Sequence, residues 1–288
     1  MVEGAPVRTE VMLPAGTVSL RDSGQGEPIL FVHGALVHGG FWDKVVAELE
    51  GDFRCVAPDL PLGSHRIPMN RGADLRPGGL VELMVQLIDA LELERVTLVG
   101  NDSGGALSQI FAVRHPDRVA RLVLTNCDAF ENFPPKLFSY MRWTALAPGG
   151  VALMAQILRA KSVRNLPFTF GALAKKRMDP ALMESFLRPV IDSAGIRRDA
   201  KKLLRGVSAS YTIEAAQRLS DFPAPTLLVW APEDKHFPLD HARRLADIIP
   251  NARLETVADS FAYIPQDQPT ELARLMKEFL GESTPSGH

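Results

Sequence analysis

Apolar and polar positions along the chain follow two alternating rhythms. Short, nearly continuous apolar runs, the pattern of strands buried on both faces of a parallel sheet, occupy residues 28–32, 53–57, 96–100, 122–125, 226–230 and 254–257. Between them apolar residues recur at helical spacing. Phe41, Trp42, Val45, Val46 and Leu49 do so within residues 40–50, and Leu80, Leu83, Met84, Leu87, Ile88 and Leu91 do so after Pro77-Gly78-Gly79. Similar helical patterns cover residues 106–113, 241–249 and 269–280. Two short strands, 8–13 and 17–21, joined by a turn at Pro14-Ala15-Gly16, precede the series. Strands alternating with helices in this way predict an α/β fold of three layers around a mostly parallel sheet. In such sheets the site lies at the carboxyl ends of the strands.

The rhythm is interrupted once. Residues 131–220 show only helical patterns, broken at Pro134-Pro135, Pro148-Gly149-Gly150, Pro167, Gly171, Pro180, Gly195 and Gly206. They read as an inserted all-helical cap on a core formed by residues 1–130 and 221–288. Phe138, Met141, Trp143, Leu153, Phe168, Phe170 and Phe186 are expected mostly to pack inside the cap, with a few facing a substrate pocket. The loop at 61–68 is rich in Pro and Gly and is expected to be exposed, which makes His65 a solvated loop histidine. The polar tail, 281–288, is expected to be disordered.

Composition changes this picture little. Of 288 residues, 46% are hydrophobic and 23% charged, which is ordinary for a soluble globular protein. The N-terminal stretch lacks the charged and apolar regions of a leader, and no apolar run is long enough to span a bilayer, so a cytoplasmic location is expected. Cys55 and Cys127 lie in apolar strand-like runs and read as buried free thiols rather than a disulfide or metal pair. Charge is less even. Residues 131–220 hold fifteen Lys or Arg against six Asp or Glu, a balance of +9 in a chain of net charge −2, leaving −11 for the rest. Solvated helix faces account for such a bias more readily than an anionic partner does. No platform of stacking aromatics accompanies the charge, so nucleic acid is not expected as a partner, nor is a membrane. No metal cluster or dinucleotide fingerprint is present, and no cofactor is expected. The expected partner is a small-molecule substrate, and the chain is expected to be a monomer or homodimer.

The candidate chemistry lies in Thr97-Leu98-Val99-Gly100-Asn101-Asp102-Ser103-Gly104-Gly105-Ala106. A β-branched run ends in glycines two residues before and two residues after position 102, and a helical pattern follows at once. Such a strand–turn–helix elbow projects its central side chain while the next backbone N–H points at the same spot. The projected group is the carboxylate of Asp102, not the neighbouring hydroxyl of Ser103. With the surrounding pattern, this stretch resembles the α/β-hydrolase fold superfamily, in the aspartate version of the elbow found in haloalkane and fluoroacetate dehalogenases and epoxide hydrolases. The resemblance covers nearly the whole chain outside the insertion. It implies an oxyanion hole from the backbone N–H groups of Ala35, after His33-Gly34, and of Ser103. It also implies a structural role for His33 and a catalytic acid at Asp234, or at Asp128, where some dehalogenases take theirs.

The chain departs from the family at the catalytic histidine. The matching stretch is Asp259-Ser260-Phe261-Ala262-Tyr263-Ile264-Pro265, and the histidine position is Ala262. An engineered substitution and a naturally histidine-free branch both remain open. In the family the aspartate forms an ester, which histidine-activated water then cleaves; a positioned base is worth roughly a hundred- to ten-thousandfold. His38 and His236 are weak candidates to replace it. Ser103 and Ala35 stand where haloalkane dehalogenases carry a Trp and an Asn, and Ser103 and Ala106 stand where fluoroacetate-type enzymes carry arginines, which disfavours dehalogenation. Tyr140 and Tyr211 are the tyrosines available in the cap to serve as the proton donors of an epoxide hydrolase. The leading expectation is therefore an Asp102-dependent hydrolase acting on a small, largely apolar substrate by epoxide- or ester-type opening. The alternatives are a non-hydrolytic lyase, isomerase or cyclase using Asp102 as acid or base, and a catalytically silent ligand-binding protein.

Overall fold

The computed structural model describes residues 7–166 and 169–282. Eight strands form one sheet: β1 (Thr9–Leu13), β2 (Gly16–Ser23), β3 (Pro28–Val32), β4 (Arg54–Pro58), β5 (Val96–Asp102), β6 (Val119–Cys127), β7 (Thr226–Trp230) and β8 (Ala252–Thr256). Their order across the sheet is β1-β2-β4-β3-β5-β6-β7-β8. The β1–β2 and β2–β4 pairs are antiparallel and every other pair is parallel. Central β5 is buried at every position, as a strand covered on both faces must be. The last strand lies earlier than its apolar run, because Ala252 and Arg253 already pair with Thr226 and Leu227. As an edge strand it is only half-buried, so apolar continuity does not mark its limits.

Helices α1 (Asp43–Leu49), α2 (Pro77–Ala90) and α3 (Ser103–Arg114) follow the sequence pattern with shifted starts. Residues 39–42 form a separate tight 3-10 turn instead of the start of α1, because the His38 ring accepts a hydrogen bond from the Gly40 N–H, 3.1 Å away. Between β6 and β7 come five helices, α4 (Tyr140–Leu146), α5 (Gly150–Ile157), α6 (Pro180–Asp192), α7 (Ala194–Gly206) and α8 (Ala209–Arg218). The last of these packs on α3 in the core. The chain closes with α9 (Leu239–Ile248), the short α10 (Ile264–Asp267) and α11 (Pro269–Gly281). Among these described residues no helix is long and apolar enough to cross a membrane.

Three sequence expectations are corrected. Trp143 and Leu153 do not pack inside the insertion: they are 71% and 63% exposed, on faces of α4 and α5 turned away from buried Ala145, Val151 and Met154. Phe170 and Phe186 are buried as expected, whereas Phe168 lies outside the described residues. The loop at 61–68 is mostly buried, not exposed, because the insertion covers it. His65 is accordingly buried, with its Nε2 3.3 Å from the carboxylate of Asp199 on α7. The polar tail beyond residue 282 lies outside the described residues, while Gly281 still belongs to α11.

Close approach fixes the elbow. A Cβ on Gly104 would fall 2.2 Å from the Val32 carbonyl oxygen, so only glycine lets α3 reach the end of β3. Gly104→Ala is expected to destabilise the fold by about 1–3 kcal/mol, the usual scale for overpacking. Gly51→Ala, where a Cβ meets nothing within 4 Å, is expected to leave stability unchanged. Urea unfolding of both variants checks the contrast.

Candidate active site

Asp102 ends β5 and caps the first turn of α3, at φ 55 and ψ −133. A side chain in this left-handed region is strained, and such strain persists only where surrounding packing holds it. Here the packing is glycine: a Cβ on Gly34 would sit 2.6 Å from the Asp102 Cβ. The carboxylate is thereby pinned between two backbone segments. Its Oδ1 accepts from both the backbone N–H and the hydroxyl of Ser103, the latter at 2.9 Å. No donor among the described residues reaches Oδ2. The two oxygens therefore differ, one held and one open. Burial raises the Asp102 carboxyl to about 6, against the opposing pull of the Ser103 hydrogen bonds.

The carboxylate faces a cavity at the carboxyl end of the sheet. Ala35, Leu36, Asp102 and Ser103 form its floor, and Phe138, Tyr140, Met141, Met154, Leu158, Phe170, Leu203 and Leu204 enclose it from the helical insertion. Tyr263 completes the lining. Among the described residues, Asp102 and Arg142 are the charged side chains on its walls. The rest of the lining is predominantly apolar, with Ser103, Tyr140, Thr169 and Tyr263 as its polar side chains, as sites for small molecules are.

The two residues read as an oxyanion hole both line this chamber, and the Ser103 N–H is already engaged by Asp102 Oδ1. Of the two cap tyrosines, Tyr140 lines it, whereas Tyr211 does not. Tyr211 instead borders a separate surface hollow with Arg76, Gln86 and Arg114, because α8 packs back onto the core.

None of the three candidate histidines lines the cavity. His33 is structural: its Nδ1 is 2.8 Å from the Gly34 carbonyl and its Nε2 accepts from the Leu60 N–H at 2.9 Å. Burial lowers it to about 4, so it is neutral at neutral pH. His38 is held between the Gly40 N–H and the Ser185 hydroxyl on α6, 3.0 Å away, and burial lowers it to about 2. It is corrected from candidate base to a joint between core and insertion. His236 turns its ring to Phe138, with centroids 5.5 Å apart, and burial lowers its pKa as well.

Both candidate acids are buried at the strand ends behind the chamber, off its lining. Asp234 accepts from the Asn126 side-chain amide at 2.8 Å and from the His236 N–H at 2.9 Å. Burial raises it to about 6. Neither carboxylate oxygen of Asp128 makes a hydrogen bond of ordinary geometry, and burial, then the charge of Asp102, raises its pKa well above the ordinary value against a smaller opposing pull from Ser103. The buried Ala262 leaves the space beside it to backbone polarity: its carbonyl accepts from the Asn101 side-chain amide at 2.8 Å. Asn101, Asn126, Arg142 and Tyr263 are site residues that the sequence reading passed over. Only the position of Tyr263, directly after the missing histidine, marked one of them.

Comparison with known proteins agrees with this fold. Residues 27–265 match the family profile described as alpha/beta hydrolase fold. The cis-3-alkyl-4-alkyloxetan-2-one decarboxylase of Shewanella oneidensis is 25% identical, with 91% of this chain and 84% of that protein covered. Haloalkane dehalogenase 2 of Mycobacterium bovis is 28% identical over 92% of each chain. Among solved structures, a thermophilic esterase from Thermogutta terrifontis superposes with a TM-score of 0.74 at 22% identity, covering 95% of this chain and 98% of that one.

The carboxyl of Asp102 sets a pH dependence. Because its folded pKa of about 6 lies above the unfolded value near 3.8, the folded state binds the extra proton. Stability therefore falls as pH rises from about 4 to about 6, by roughly 3 kcal/mol for this group. Asp102→Asn is expected to remove that loss, so its stability advantage over the parent is larger at pH 8 than at pH 4. Denaturation at the two pH values measures it.

Proposed function

This chain belongs to the alpha/beta hydrolase fold family, and on that premise we propose that it is an enzyme whose Asp102 attacks a small, largely apolar substrate, opening a strained oxygen ring or ester. The observation that carries the reading is the asymmetry of the carboxylate: Oδ1 is held by Ser103 while Oδ2 is left open on an apolar chamber. An anion stripped of water and fixed in place is a stronger nucleophile than one in solution. The oxetan-2-one that names one relative is a four-membered cyclic ester, and its alkyl arms match the apolar character of the lining. Such a ring releases its strain on attack, so it needs less activation by the protein than an open ester.

With Ala262 in place of a base and no histidine on the described walls, the ester on Asp102 has no side-chain imidazole to direct water at it. Its breakdown is expected to be at least about a hundredfold slower than it would be with such a base, the lower end of what general-base catalysis supplies. A second reading draws on Asp128. A buried carboxyl behind Asp102, raised in pKa by that burial, suits proton transfer between two acids, as in an isomerisation or elimination.

Incubation with a panel of epoxides and oxetan-2-ones, followed by intact mass and peptide mapping, distinguishes the readings. The expected result is an adduct on the peptide containing Asp102, absent from Asp102→Asn, forming faster as pH rises through about 6. An adduct of equal yield in Asp102→Asn would refute the nucleophile, and product without any adduct would favour proton transfer.

A further inference from the structure

The outer face of the helical insertion is apolar where a solvated face would be polar. Six of the nine exposed large apolar side chains among the described residues fall within residues 137–157, including Trp143 and Leu146 on α4 and Leu153 and Ile157 on α5. Trp143 lies one turn from Leu146, and Leu153 one turn from Ile157, so each helix carries an exposed apolar stripe. The two helices pack on each other and both rest on α7, with Ala145, Val151 and Met154 turned inward. Both stripes are thereby left on the outside of one helical hairpin. Apolar surface gathered in this way marks a site of interaction.

Charge identifies the partner. Residues 132–178 hold eight Lys or Arg and no Asp or Glu, so the positive bias of the insertion gathers around this hairpin. Arg159, Arg164, Lys175 and Lys176 pair with carboxylates from later segments. Lys136, Arg142, Lys161 and Arg177 are exposed and make no ion pair among the described residues. Exposed Trp and aliphatic side chains set among unpaired cations suit a lipid interface, where the apolar groups reach the acyl boundary and the cations meet anionic headgroups. An acidic protein surface would match the charge, but the position of the hairpin favours lipid. Tyr140 and Arg142 are exposed and also line the chamber, so α4 borders its entrance. A predominantly apolar chamber takes molecules that leave water for a bilayer.

We propose, against the sequence expectation of no membrane partner, that the α4–α5 hairpin docks this protein on the surface of an anionic phospholipid bilayer with the chamber entrance facing the lipid. Docking is peripheral, since no described helix is long and apolar enough to cross. Trp143, Leu146, Leu153 and Ile157 enter the headgroup boundary, and Lys136 and Lys161 meet phosphates beside them. A small apolar substrate then passes from bilayer to chamber without crossing bulk water. None of this depends on Asp102 acting as a nucleophile.

Of the three tryptophans, Trp42 and Trp230 are fully buried, so a change in emission on docking reports Trp143. The full-length protein is titrated with vesicles of phosphatidylcholine alone, or of phosphatidylcholine mixed with phosphatidylglycerol, with brominated acyl chains as quencher. The expected result is a blue shift and quenching on the mixed vesicles, reversed by high salt and absent on the neutral ones. In vesicle sedimentation, the double variants Trp143→Gln with Leu153→Gln and Lys136→Gln with Lys161→Gln are each expected to lower partitioning by about tenfold or more. Met12→Gln, at an exposed apolar residue on β1, is expected to stay within about twofold of the parent. Undiminished binding in either double variant, or equal binding to neutral vesicles, overturns the proposal. So does a lack of quenching on mixed vesicles, which would leave the face to a protein partner. A lipid-free dimer that Trp143→Gln with Leu153→Gln dissociates would assign the face to a second copy of this chain and overturn it as well.

Discussion

The site depends on how closely α3 can approach the end of β3. Two backbone segments, at Gly34 and Gly104, come within distances that a side chain would forbid, and Asp102 is trapped between them in a left-handed conformation. The chain gains from this arrangement a carboxylate that cannot swing away, with one oxygen committed to Ser103 and the other left over. The strain is tolerated because the surrounding sheet is rigid: β5 is buried at every position and is paired on both sides, with β3 and with β6. Loosening the contact would relax the backbone and lose the asymmetry together.

From that constraint the electrostatics of the chamber follow. The largely apolar face of the insertion closes over the carboxylate, and burial raises its pKa. Behind it, buried polar groups are sorted into satisfied and unsatisfied. Asp234 is satisfied by Asn126 and by backbone, and Asn101 bridges to the Ala262 carbonyl. Asp128 and Tyr263 are not satisfied. Orphaned buried groups are uncommon in folded proteins, and here both feel the charge of Asp102. The polar design of the site therefore centres on one carboxylate, without an imidazole on the described walls to share its work.

Much of this was legible in the sequence, for reasons specific to particular residues. The apolar runs at 28–32 and 226–230 and the glycines around Asp102 are dictated by local geometry, so the sheet and the elbow could be read directly. His33 could likewise be placed as a structural histidine. The edge strand β8 was harder to delimit, because half-buried positions carry no continuous apolar signal. The fates of His38, His65 and Tyr211 were not legible. Each is decided by how the helical insertion packs on the core: Ser185 and Asp199 reach down to the two histidines, while α8 carries Tyr211 away from the chamber. Asn126 and Tyr263 were hidden for a different reason, since their importance comes from partners made or lacking in three dimensions.

In the proposed function a single buried carboxylate, ionising near neutrality, carries the reactivity of the site. Titration of protein labelled with carbon-13 at the aspartate carboxyl groups, followed by NMR, tests it most directly. The expected result is a resonance that titrates at about 6 and is missing from Asp102→Asn. An Asp102 resonance titrating near 4, in the range of a solvated carboxylate, would contradict it.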